Sequence, residues 1–151
     1  MVKNSAGILL YRKRDGELQV LLVHPGGPYW YKKDDGVWSI PKGEIDGEEG
    51  ILDTAIREFE EETGYRLSGI FMSLNPVKLK SGKVIYAFAL EGEIDPDNIH
   101  SNNFSMEWPP LSGKFQEFPE VDKAAWFDIE IAARKINQGQ VPLLEELKDK
   151  S

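Results

Sequence analysis

Gly43–Tyr65 reads GEIDGEEGILDTAIREFEEETGY, and the fold is decided by what this stretch becomes. Gly50–Thr63 carries helical periodicity: Leu52, Ala55, Ile56 and Phe59 fall at i, i+3, i+4 and i+7, the spacing of one buried face. Gly64 follows the last periodic residue, where a glycine naturally stops a helix. Glu58, Glu61 and Glu62 stand at i, i+3 and i+4, so they share a second face roughly opposite the apolar one. Three like charges this close repel. On spacing alone a solvated acidic face is the commoner explanation, and a bound divalent cation is the other. Carboxylates without Cys or His partners suit hard cations such as Mg²⁺ or Mn²⁺ rather than zinc. Arg57 lies one turn before Glu61 and can pair with it. Glu49 sits just ahead of the helix, where an acid is also welcome as a cap or as a charge on the helix dipole.

Working outward, Ser5–Tyr11 and Leu18–Val23 read as strands joined through Asp15-Gly16, a hairpin signal. Pro25–Gly36 is a loop rich in Gly, Pro and aromatics, and Val37–Pro41 is extended. Ile70–Leu79 and Lys83–Leu90 predict two strands around Ser81-Gly82. Glu93–His100 is a turn-rich loop, Phe104–Trp108 a short strand and Pro109–Pro119 an irregular loop. Ala124–Phe127 predicts the last strand, followed by a helix over Ile129–Asn137 and a short one over Leu143–Lys148. Strands flank the central helix and hairpins outnumber crossovers, so the expected fold class is α/β (α+β), a mixed β-sheet with helices packed on it. There is no repeat, low-complexity tract or linker, and residues 1–151 are expected to form a single domain.

The composition narrows the function. Hydrophobic residues make up 40% and charged residues 29%, which is globular rather than disordered. A net charge of −8 argues against stable nucleic-acid binding, which needs clustered Lys and Arg. It also means that an anionic substrate must be held by cations or by a focused basic pocket. The chain has no Cys, which excludes disulfides, thiolate metal sites and cysteine nucleophiles. Met1–Tyr11 has no signal-peptide cleavage pattern, and no stretch approaches the length of an apolar membrane span. The expectation is a cytoplasmic protein with no membrane partner; its oligomeric state is not legible.

Gly43, Glu49, Arg57, Glu58, Phe59, Glu61, Glu62, Gly64 and Tyr65 together resemble the Nudix box, Gly-x5-Glu-x7-Arg-Glu-apolar-x-Glu-Glu-x-Gly-apolar, at every fixed position. A chance match in a chain of this composition is on the order of one in a million or rarer, which decides against the solvated face. The resemblance extends upstream through Trp38-Ser39-Ile40-Pro41-Lys42 and more weakly to the Glu120–Phe127 run and the helix after it. It implies a Nudix-type α/β/α sandwich and a Mg²⁺-dependent acid-anhydride hydrolase, an NTP-pyrophosphohydrolase-like enzyme in which Mn²⁺ substitutes. The expected substrate is a small nucleoside di- or polyphosphate, cleaved at a phosphoanhydride bond.

By that similarity Glu58, Glu61 and Glu62 would ligate the metal with the Gly43 carbonyl, and Glu49 and Arg57 would orient the ligands. Glu120 is a further candidate metal ligand. The general base stays open between Glu61 or Glu58 within the box and Glu120 or Glu117 outside it. Lys42 precedes the box glycine and is either a phosphate contact or an ordinary surface lysine. Trp30 and Tyr31, with Tyr29, Trp108 and Phe118, either stack a base or sugar or belong to the core. His24 and His100 are read as structural or surface residues, since nothing nearby completes a metal site. Trp38-x-x-Pro-Lys-Gly43 resembles the dinucleoside polyphosphate hydrolases within the family. Two other classes compete. A non-catalytic nucleotide sensor typically has lost box carboxylates, and all are kept here. A calcium-binding or protein-interaction module would want an Asp-x-Asp-x-Asp-Gly loop, which is missing.

Overall fold

Asp15 and Gly16 both adopt positive φ, 54° and 81°, which is the backbone a two-residue hairpin turn demands. They join β1 (Ser5–Arg14) to β2 (Glu17–Pro25), paired from Tyr11 opposite Val20 to Arg14 opposite Glu17. The computed structural model describes residues 3–151. Met1 and Val2, where the N-terminal reading begins, lie outside the described residues.

Further strands build on this hairpin. A short β3 (Lys42–Glu44) pairs with the start of β1, Lys42 opposite Gly7 and Gly43 opposite Ala6. After α1 (Ile51–Thr63) come β4 (Met72–Ser73), β5 (Val77–Lys78) and β6 (Val84–Glu91). Then follow β7 (Asn103–Glu107), β8 (Phe115–Pro119) and β9 (Val121–Asp128), and last α2 (Ile129–Lys135) and α3 (Val141–Lys150). The main sheet runs β4-β6-β1-β2-β9, with β3 on β1 and β5 on β6. β1 and β6 are parallel and the other pairs antiparallel, so the sheet is mixed as expected.

Alternation along β1 and β2 builds two cores. Ala6, Ile8, Leu10, Leu21 and Val23 face α1 and pack with Ala55 and Phe59. Leu9, Val20 and Leu22 face the other way, against Ala132, Leu143, Leu144 and Leu147 of α2 and α3. The result is helices on both faces of one sheet, the α/β/α sandwich. No helix among the described residues is long and apolar enough to cross a membrane.

These sequence readings change. Ile70–Leu79 is not one strand. Pro76 lacks an N–H and splits it into β4 and β5, although Leu74 still donates to the Ala87 carbonyl (2.9 Å). Pro109–Pro119 is not wholly irregular, because Phe115–Pro119 pairs with β7 as a separate two-stranded ribbon. That ribbon's face is turned to solvent, with Phe115 exposed, so it lacks the hydrophobic alternation that marks a core strand. The helix after β9 ends at Lys135 rather than Asn137, and the last helix spans Val141–Lys150 rather than Leu143–Lys148. On α1, Ala55 and Phe59 are fully buried as read, Leu52 and Ile56 only half so, and Thr54 and Thr63 join the buried set.

Candidate active site

α1 is held at both ends. Gly64, at φ +86°, donates its N–H to the Glu60 carbonyl (2.7 Å), the left-handed stop expected of it. At the start, Thr54 donates its hydroxyl to Glu49 (2.8 Å), fixing a carboxylate that lies before the helix. Glu49 in turn accepts three bonds from Arg57, at 2.9, 3.0 and 3.2 Å. The same guanidinium donates to Glu58 (3.0 Å) and to both oxygens of Glu61 (3.1 Å each). One arginine thus gathers three carboxylates. These bonds raise the Arg57 pKa above its already high value, the pairing with Glu49 being the largest cause. They hold Glu49 below the ordinary carboxylate range.

Glu58 turns inward to β3. A Cβ built on Gly43 would fall inside the Glu58 carboxyl group, so residue 43 must be glycine for that side chain to stand where it does. The Glu58 side chain is only 12% exposed. Burial, then repulsion from Glu61, pushes its pKa up to about 7 despite Arg57. Glu62, one turn on, is likewise pushed up, first by burial, while the nearby Lys42 ammonium opposes the rise. The acidic face is therefore half-buried against Lys42 and Gly43, not a solvated surface.

Two short links bring a distant acid to this face. Asn102 donates its N–H to the Glu61 carbonyl (2.8 Å), and Glu120 donates its own to the Asn102 carbonyl (2.8 Å). Gly26 then donates to the Glu120 carbonyl (3.0 Å). Glu120 is raised by partial desolvation and by the charge of Glu61. Lys42, Glu62 and Glu120 line one cavity of about 120 Å³ together with Ser39 and Val37. A second cavity of about 280 Å³ adjoins it, sharing Pro25, Val37, Ser39 and Lys42 and adding Trp30.

The other aromatics go elsewhere. Tyr31 lines a separate apolar pocket with Phe118 and Pro28. Trp108 stands edge-on to Tyr29, ring centroids 5.3 Å apart, beside the β7–β8 ribbon. Glu117 is exposed on β8, paired opposite Ser105. His24 is buried, its Nδ1 2.8 Å from Asp122 and its Nε2 2.6 Å from the Lys33 carbonyl, and this ties the aromatic loop to β9. His100 is exposed and its backbone N–H bonds to the Thr63 carbonyl (2.9 Å). Sequence reasoning missed Thr54, the partner of Glu49. It also missed Lys83, whose ammonium is near enough to Lys42 to disfavour its charge. Lys83 lies across β1 in the sheet and has no local signal.

The donor set fits a hard divalent cation. It is all oxygen, half-buried, and three of its carboxylates are pushed up, first by burial and then by the charge of neighbouring carboxylates. Among the described residues no three acidic or imidazole side chains converge on one point as they stand. Arg57 already occupies oxygens of Glu58 and Glu61, so seating an ion requires these side chains to re-aim.

Similar proteins share this architecture. A bis(5′-nucleosyl)-tetraphosphatase (asymmetrical) of Caenorhabditis elegans is 37% identical over 62 residues, 41% of each chain. The chain spans 32% to 41% of the length of the curated relatives that it matches. Among solved structures, the binary complex of a C. elegans Ap4A hydrolase superposes with TM-score 0.66 at 22% identity, covering 98% of this chain and 96% of that one. The NUDIX domain of Shewanella oneidensis NrtR, complexed with ADP ribose, superposes with TM-score 0.67 at 18% identity, covering 99% and 88%. At these identities the superpositions show the shared fold. The family model of the NUDIX domain matches residues 1–147, nearly the whole chain with the complete Gly43–Tyr65 motif inside it, and the chain belongs to the NUDIX domain family.

Proposed function

We propose that this chain is a Mg²⁺-dependent pyrophosphohydrolase, acting as one domain on a small nucleoside di- or polyphosphate. The observation that carries the reading is the Arg57 hub: one guanidinium holding Glu49, Glu58 and Glu61 beside a glycine whose side-chain space the Glu58 carboxyl occupies. Such gathering of carboxylates costs repulsion and is repaid when cations bind.

In this reading Glu58, Glu61, Glu62 and the Gly43 carbonyl hold the metal, with Glu120 facing them from the loop before β9. The bound ions supply charge neutralisation of the diphosphate and acidify the attacking water. Lys42 contacts a phosphate oxygen, and Trp30, in the adjoining cavity, packs on the base or sugar. Water attacks phosphorus, the P–O–P bond breaks, the bridging oxygen leaves with the electron pair, and one proton must be removed. Glu120 is the acceptor we favour. Its carboxyl takes no hydrogen bond among the described residues and its pKa is raised, whereas Glu61 is committed to the metal in this reading. Glu49 and Arg57 position the ligands.

The likeness to the C. elegans tetraphosphatase makes dinucleoside polyphosphates the first substrates to try. The test is release of phosphate, pyrophosphate or nucleotide with Mg²⁺ and Mn²⁺ across nucleoside triphosphates, dinucleoside polyphosphates, nucleotide sugars and coenzymes. Turnover abolished by a chelator is expected. Nucleotide binding without any product would replace the hydrolase with a sensor.

A further inference from the structure

Trp30 shares a cavity with Lys42, yet it lies on a loop outside any helix or strand and is 41% exposed. Its local contacts form a turn. Trp30 donates its N–H to the Gly27 carbonyl (3.3 Å), and Lys33 donates its own to the Trp30 carbonyl (2.8 Å). The Lys33 ammonium lies over the indole, 5.2 Å from its centroid, so one face of that ring is already covered. These bonds shape the turn without fixing where it stands on the sheet.

The link to the sheet is His24. β2 and β9 pair His24 opposite Lys123 and Pro25 opposite Val121, so Asp122 is the extra residue of a bulge and has no cross-strand partner. A bulge re-aims the side chain that it carries. Here the Asp122 carboxylate stands 2.8 Å from His24 Nδ1. On the other side of the ring, Nε2 donates to the Lys33 carbonyl (2.6 Å). The ring is fully buried and stands edge-on to Trp38, with centroids 5.1 Å apart. Lys33 thus gives its carbonyl to His24 and its N–H to Trp30. Elsewhere the loop is tied near its ends, Gly26 to the Glu120 carbonyl and Gly36 to the carbonyls of Arg134 and Lys135. Among the described residues, the bond from His24 is the one hydrogen bond that reaches residues 27–33 from outside them.

We propose that His24 is a positioning residue for nucleoside binding: without touching substrate, its ring sets the place of the Lys33 carbonyl and through it of Trp30. The inference deepens the proposed function and rests on its placing of the base or sugar against Trp30. The diphosphate end of the cleft is built differently, from Lys42 on β3, Glu62 on α1 and Glu120 before β9, and does not hang on the His24–Lys33 bond. Loss of that bond therefore weakens the hold on the nucleoside and spares the hold on the phosphates.

Titration calorimetry in Mg²⁺ with two cleavage-resistant ligands reads this split: α,β-methylene-ADP, and methylenebisphosphonate as the same diphosphate without a nucleoside. His24→Phe keeps a ring beside Trp38 and removes both polar contacts. Nucleotide affinity should fall about 10-fold, as in Trp30→Ala, with bisphosphonate affinity within about twofold of wild type. H24F/W30A should lose no more than either single variant, because both substitutions remove the same contact. Thermal midpoints are read alongside. Where His24→Phe does not fold, Asp122→Ala, which removes a partner only 28% exposed, decides by the same comparison of the two ligands. Unchanged nucleotide affinity, a loss shared equally by both ligands, or additive losses in the double variant would overturn the proposal. Trp30→Ala without effect on the nucleotide would instead strike the placing of the nucleoside in the proposed function, and this inference with it.

Discussion

The carboxyl group of Glu58 occupies the space that a Cβ on residue 43 would take. The helix and the strand that precedes its loop are thus interlocked through a missing side chain. Gly43→Ala must drive the Glu58 carboxyl out, away from Arg57 and the cleft. The expected outcome is a loss of Mg²⁺ affinity of roughly 10- to 100-fold, the usual consequence of misplacing metal-site geometry, with the fold retained by circular dichroism. Wild-type affinity in this variant would show that Glu58 acts without the Gly43 space.

Arg57 donates to Glu49, Glu58 and Glu61 at once, which a single ammonium cannot reproduce. Arg57→Lys is expected to lower kcat about 10- to 100-fold while leaving KM nearly unchanged. A change confined to KM would place Arg57 on the substrate instead.

The raised pKa of Glu58 sets the direction of a pH effect. Its folded-state value is about 7, against an ordinary value of 4.5, so the folded chain binds more protons than the unfolded chain between these limits. Stability of the metal-free protein therefore falls as pH rises through that window, and Glu62 and Glu120, shifted the same way, add to the slope. Thermal midpoints between pH 5 and pH 8 in chelator should decline. Added Mg²⁺ should flatten or reverse the decline, because it binds the ionised carboxylates. A metal-free midpoint that rises over this range would contradict the assignment.

Trp30 shares a cavity with Lys42, while Tyr31 and Trp108 do not. Trp30→Ala should raise KM for a nucleotide substrate about 10-fold, the worth of one stacking contact. Tyr31→Ala and Trp108→Ala should leave KM within about twofold. The reverse order would move the base to the Tyr31–Phe118 pocket.

These aromatics also show where sequence reading stops. Trp30 and Tyr31 are neighbours with the same chemical signature, and only the tertiary path of the Gly26–Gly36 loop sends them to different pockets. α1 was legible because its amphipathic period and Gly64 are both local signals. The hairpin was legible because Asp15-Gly16 names its turn. β8 was not, since Phe115–Pro119 pairs on an exposed ribbon and buries no continuous face. The break in Ile70–Leu79 was written in Pro76 and was overridden by the apolar residues on either side. Glu120 was reached through resemblance, whereas Lys83 comes near Lys42 through the parallel pairing of β1 and β6, a contact between residues about eighty positions apart.

The most direct test of the central claim is turnover by Glu61→Gln and Glu62→Gln, measured as product release at saturating Mg²⁺ on the best substrate of the panel. Each substitution keeps side-chain size and removes the charge that the metal requires. The account predicts that kcat falls by about 100-fold or more in both variants, with the thermal midpoint of the metal-free protein unchanged or raised as repulsion is relieved. Near-normal turnover in both would show that this face of α1 is not where the chemistry occurs.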